Sequence, residues 1–168
     1  MIARKGLLTL LQAVAKLTCA LNWVLWIEGS GPEMEAIRRH VQALGLTDKC
    51  RLLGFCQYDL HSWLVRSADI VVVPSLEDSW GIVVDEGLQL GKAVISTHAT
   101  GSAVDRIVDG KNGFIVPPGD VTALTVRLDQ LLEDPALRAS LGRQAISSVK
   151  NIRPSDNVDT LLRVIEAL

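Results

Sequence analysis

The chain has 168 residues, of which 48% are hydrophobic and 21% charged, which excludes a disordered polymer and allows a single packed domain over residues 1–168. The formal net charge of −2 offers no electrostatic grip on nucleic acid or anionic lipid. Three cysteines, Cys19, Cys50 and Cys56, form an odd set without a C-x-x-C pair, which points to reduced thiols in a cytoplasmic setting and away from a metal site.

Leucines at helical spacing predict a helix over 7–17. The apolar stretch 6–27 is interrupted by Gln12, Lys16, Thr18 and Asn22, so it reads as a buried helix followed by a strand, not a membrane span. Arg4 and Lys5 ahead of it, with Ala13-Val14-Ala15, also fit a secretory leader, but the helical periodicity favours an element of the fold. A short strand follows over 23–27, then a Gly-Ser-Gly-Pro turn and an amphipathic helix over 33–44 stopped by Gly45. A second strand is predicted over 51–55 and a short helix over 60–67. The Ile-Val-Val-Val run within 69–74 suits a strand covered on both faces. A helix over 82–90 ends at Gly91, and strands follow over 93–97 and 114–116 with a short helix over 103–108 between them. Asp120 caps a helix running to 132, Pro135 opens another running to 149, and an amphipathic helix is predicted over 156–168. This alternation implies an α/β fold, a Rossmann-like parallel sheet with helices on both faces.

Ligands of such sheets bind beyond the carboxyl ends of the strands. Three loops there, 28–32, 74–82 and 97–103, carry Gly29, Gly31, Gly81 and Gly101, which let backbone approach a ligand closely. Free amides at the start of the 82–90 helix favour a diphosphate. The nearby acids Asp78 and Glu86 would repel phosphate but accept sugar hydroxyls. A nucleotide sugar presents both chemistries. Each feature also has a plainer reading: Gly-Ser-Gly-Pro as a turn, Asp78 or Ser79 as a helix cap, and Glu86 as a surface acid. The histidines His40, His61 and His98 read as solvated or loop residues, the four tryptophans as core, and Glu77 and Asp85 as solvated flanks.

The ordered set of motifs resembles the C-terminal, donor-binding domain of retaining nucleotide-sugar glycosyltransferases of the glycogen-synthase-like and sucrose-synthase-like group, one half of a GT-B fold. The marks are Lys5-Gly6, Gly29-Ser30-Gly31-Pro32, Leu53-Gly54-Phe55, Ala68-Asp69 through Pro74-Ser75, and Asp78-Ser79-Trp80-Gly81 through Glu86. They continue with Gly91-Lys92-Ala93-Val94-Ile95, Gly101 to Asp105, the turn at 109–113, and Pro117-Pro118-Gly119-Asp120. The resemblance implies that Asp78 lies near the donor sugar and that Glu86 holds the ribose hydroxyls. It implies that amides at Gly81, Ile82 and Val83 face the diphosphate, that Lys5 neutralises it, and that the loop 53–56 lies against the base. It implies a nucleotide-diphosphate sugar as substrate and no cofactor or metal.

Asp78 and Asp105 stand where this family has glutamate, and Ser102 where it has a second glycine; the shorter Asp78 predicts a weakened or retuned sugar contact. The family places a strand ending in Gly-Arg before the Lys-Gly, and an N-terminal acceptor domain before that. The expectation is a chain that needs that domain, or a separate chain supplying it, for transfer. Without the first strand, its two neighbours either pair directly, receive a strand from another chain, or leave a marginal domain. The expected location is cytoplasmic, with a peripheral position at the inner membrane face left open. A noncatalytic partner that keeps the fold is the alternative function. A dinucleotide-dependent oxidoreductase fits poorly, because Met34 replaces the third glycine of Gly-x-Gly-x-x-Gly.

Overall fold

The computed structural model describes residues 2–150; the helix predicted over 156–168 lies outside them. A short 3₁₀ turn, Ala3–Lys5, precedes α1 (Leu7–Val14). Then come β1 (Leu25–Glu28), α2 (Met34–Ala43), β2 (Cys50–Gly54), α3 (Tyr58–Ser67), β3 (Ile70–Val73) and α4 (Ile82–Gln89). The chain continues through β4 (Ala93–Thr97), α5 (Gly101–Arg106), β5 (Phe114–Val116), α6 (Val121–Glu133) and α7 (Pro135–Val149). Each element predicted within these residues forms, with ends moved by a few residues. The start of α5 moves to Gly101 because Thr100 is already extended there, and Ile107 returns to extended backbone at its end. Asp120 and Asp134 cap α6 and α7, accepting from the amides of Ala123 and Leu137.

Side-chain alternation along the strands sorts the interior into two layers. Ala93 and Ile95 of β4 join a core with Ile27, Phe114 and Val116, roofed by Leu10 and Leu11 of α1, Ile37 and Val41 of α2, and Leu124 and Leu128 of α6. Val94, between them in sequence, faces the other way with Val71 and Val73 of β3. There it meets Val65 of α3, Val84 and Leu88 of α4, Ala103 of α5 and Ala145 of α7. All five residues of β4 are buried, as a central strand requires. Leu11, Leu88 and Ile95 have no exposed surface, and burying each contributes about 1.5–3 kcal/mol.

The strands are all parallel but form two sheets, β1-β2 and β3-β4-β5, with no ladder between β1 and β3 among the described residues. Of the outcomes left open for the neighbours of the missing strand, direct pairing does not occur among the described residues, and the parallel strands form two pieces. A common core holds the two pieces: Leu25 and Ile27 of β1 pack in the same cluster as Ile70 and Val72 of β3.

The same alternation corrects the expectation that the tryptophans are core. With Leu25 and Ile27 turned inward, Trp26 must face the opposite side, where it stacks on Trp63 of α3 with ring centroids 5.8 Å apart. Both rings stay substantially exposed, as does Trp80. Trp23 alone packs partly against the first core, with the Lys49 ammonium 4.5 Å from its ring centroid.

Candidate functional site

The site is built at the carboxyl ends of β1 and β3. Gly6 opens α1 with φ +66 and lies so close to Pro74 that an added Cβ would occupy the Pro74 carbonyl oxygen. The carbonyl of the preceding Arg4 accepts hydrogen bonds from the amides of Leu76 (2.7 Å) and Glu77 (3.3 Å). These contacts bind the chain start to the loop after β3 and deliver Lys5 to Asp78. The Lys5 Nζ donates to Asp78 Oδ2 at 2.6 Å, across 73 residues of sequence.

Asp78 is itself anchored by backbone. Its amide donates to Ala99 (2.9 Å), and its carbonyl accepts from Gly101 (3.2 Å). Burial alone would raise the Asp78 carboxyl, but the Lys5 hydrogen bond and charge, the Trp80 amide and Arg4 outweigh it and hold it below the usual carboxylate range. A lowered folded-state value stabilises the fold above the unfolded carboxyl pKa of about 3.9, and that stability is lost as pH falls below it. Urea unfolding at pH 5 and pH 3 is expected to show a smaller acid loss for Lys5→Met than for the wild type.

The next turn positions the helix. Gly81 adopts φ +79 against Thr100, and the Ser102 hydroxyl donates between the carbonyls of Trp80 and Gly81. Helix α4 then starts with no side-chain cap, with Ile82 exposed and Val83 partly so. The first amides of a helix have no intrahelical acceptor, and the helix dipole adds positive potential there. Asp85 is not the solvated flank expected: it accepts from Trp80 Nε1 at 2.8 Å and pairs with Arg106 at 3.5 Å, while that guanidinium lies over the Trp80 ring. Glu77 is exposed, as expected.

Glu86, one turn into α4, accepts from His61 Nε2 at 2.9 Å, and His61 Nδ1 reaches Glu28 at 2.7 Å. His61, read from sequence as solvated, is instead a half-buried bridge between the last residue of β1 and the first turns of α4. No sequence signal pairs these three residues, which are 33 and 25 positions apart. Gly29 follows Glu28 directly, and its amide donates to Gly54 at 2.7 Å. The Gly31 carbonyl accepts from Met34 at the start of α2. Neither glycine hydrogen-bonds to Lys5 or Asp78 among the described residues. Lys5 reaches Asp78, Asp78 lies against Gly81, and Ile82, Val83 and Glu86 follow on α4, while Gly29 and Gly31 follow Glu28 at the end of β1. His98, after β4, is an exposed loop residue, and Phe55 of the 53–56 loop is largely exposed.

An uncapped helix start, a lysine and two carboxylates lie at the carboxyl ends of the strands of a parallel α/β fold, where ligands of such sheets bind. Residues 1–148 match the family described as glycosyl transferases group 1, and the chain belongs to it. It is 32% identical over 168 residues to the phosphatidyl-myo-inositol mannosyltransferase of Mycobacterium leprae, covering 98% of this chain and 44% of that one. Its fold is similar to that of HepE from Anabaena, solved in complex with UDP: TM-score 0.88, 23% identity, 99% of this chain and 46% of that one. It is also similar to sucrose-phosphate synthase from Thermosynechococcus elongatus, with TM-score 0.83, 27% identity, 99% of this chain and 43% of that one. The chain spans less than half the length of the curated relatives it matches. Among the described residues, no helix is long and apolar enough to cross a membrane.

Proposed function

We propose that the chain is the donor-binding half of a retaining glycosyltransferase and takes a nucleoside-diphosphate sugar. The observation that carries this reading is Lys5 held on Asp78 just before the uncapped start of α4, the helix that also carries Glu86. The amides of Gly81, Ile82 and Val83 donate to the diphosphate oxygens. Lys5 leaves Asp78 for the same group, where its charge counts most as the sugar departs. The bond from the anomeric carbon to the diphosphate oxygen breaks, its electron pair goes to the diphosphate, the acceptor hydroxyl oxygen bonds to the same face of the sugar, and its proton passes to the departing diphosphate oxygen. Asp78, released from Lys5, accepts from sugar hydroxyls. Glu86 accepts from the ribose diol, using the oxygen that His61 leaves free. The acceptor site belongs to an N-terminal domain or a separate chain, so this chain binds donor without transferring it.

HepE shares the fold and was solved with UDP, which makes UDP-sugars the first donors to test. Titrating UDP-glucose, GDP-mannose and ADP-glucose while following Trp80 and its neighbours by fluorescence is expected to give saturable binding of at least one donor and no sugar release to simple acceptors. Binding of none would favour a noncatalytic partner, and turnover by the isolated chain would overturn the half-enzyme assignment.

A further inference from the structure

Between the two sheet pieces, one imidazole touches two carboxylates at once. His61 Nδ1 lies 2.7 Å from Glu28 Oε2 and Nε2 lies 2.9 Å from Glu86 Oε2. Ionised carboxylates only accept hydrogen bonds. A neutral imidazole has one N–H and one lone pair, so it can satisfy one of these contacts and must set a lone pair against the other. Both contacts together require the doubly protonated ring. That ring is three-quarters or more shielded, and so are the two acids to nearly the same degree, with side-chain exposures of 18%, 28% and 25%.

We infer that His61 is a positioning residue for the donor nucleoside, holding Glu86 by one oxygen in its protonated state so that the other stays aimed at the ribose, and releasing it when the proton leaves. The inference rests on the donor-site reading above. The charges around the ring support it. Glu28 approaches from β1 and Glu86 from α4, while Cys56, in the loop before α3, senses Glu28. Tyr58 and Arg66 of α3 itself line the small cavity that His61 and Glu86 share. Burial disfavours the charged ring, but the hydrogen bonds and charges of Glu28 and Glu86 outweigh it and hold the imidazole above its ordinary value. The protonated bridge is therefore present below that raised value and is lost as pH rises through it. A carboxylate freed from its tie must be reordered by the ligand, which weakens binding about three- to tenfold.

The test is the dissociation constant of the full chain for UDP-glucose, GDP-mannose and ADP-glucose from pH 5.5 to 8.5. These diesters keep a constant diphosphate charge over that range, so the profile reports the protein. For whichever donor binds, wild-type affinity is expected to be flat on the acid side and to fall about three- to tenfold as pH rises. His61→Gln is expected to bind at the weaker level throughout, with no pH step. Glu28→Gln supplies an amide N–H that a neutral ring's Nδ1 can accept while Nε2–H stays on Glu86, so it is expected to keep the acid-side affinity and lose the pH step. The wild-type and Glu28→Gln profiles decide the matter even if His61→Gln does not fold. Binding that persists without a pH step in the wild type, or a His61→Gln profile like the wild type's, would overturn the positioning role alone. Failure of all three donors at every pH would overturn the donor site and this inference with it.

Discussion

Gly6→Ala is expected to be the most damaging single substitution in the described fold. Two independent costs add at this position. The backbone is left-handed, which costs an L-residue about 1–2 kcal/mol. The new methyl also collides with the Pro74 carbonyl, a backbone group that cannot swing aside as a long side chain can. Overpacking of that kind costs about 1–3 kcal/mol, so the total is about 2–5 kcal/mol. For a chain of this size that is a fall in Tm of about 4–20 °C. Gly45→Ala is the control: its φ is +67, but nothing lies within 4 Å of the added carbon. It should show the conformational cost alone, and the difference between the two melts isolates the collision. Because Gly6 sits next to Lys5, the shift that relieves the collision also pulls Nζ away from Asp78 and lowers donor affinity.

Glu86→Ala is expected to remove most of the nucleotide affinity while leaving the fold intact. A carboxylate accepting from a ribose diol forms charge-assisted hydrogen bonds, worth about 1.5–3 kcal/mol. Their loss weakens binding roughly 10- to 150-fold. The Glu86 side chain belongs to neither apolar cluster, so the cost to thermal stability is its lost contact with His61 and not core packing. Isothermal titration with the donor selected by fluorescence measures the loss. A dissociation constant unchanged by Glu86→Ala would place the nucleotide elsewhere.

Much of this arrangement was legible in the sequence because the signals are local. The Ile-Val-Val-Val run, Gly45 and Gly91 after α2 and α4, the cap Asp120 and the opener Pro135 each act within a few residues, and each marks the element it announces. Asp78 and Glu86, with seven residues between them, were paired by the family resemblance, and the structure sets them either side of a glycine turn, Glu86 in the first turns of α4. What escaped were features set by distant contacts. Asp85 reads as a flanking acid until Arg106 arrives from α5. His61 reads as a surface residue until β1 and α4 bring an acid to each ring nitrogen. Trp26 reads as core because it is large and apolar; its neighbours Leu25 and Ile27 already occupy the inward positions, and strand alternation leaves it outside. The division of the sheet also has no local signature, since a strand's own residues do not say which edge stays unpaired.

That division has a thermodynamic consequence. A two-stranded ribbon is weakly cohesive by itself, and β1-β2 relies on the shared core to stay registered with the three-stranded slab. Glu28 belongs to the ribbon and Glu86 grows from the slab, so the imidazole between them is a polar rivet across the seam. A nucleoside seated on Glu86 favours the riveted arrangement over any opened one, and by mass action it tightens the protein's own halves in proportion to its occupancy. Ligand capture and structural cohesion are, at this seam, one equilibrium.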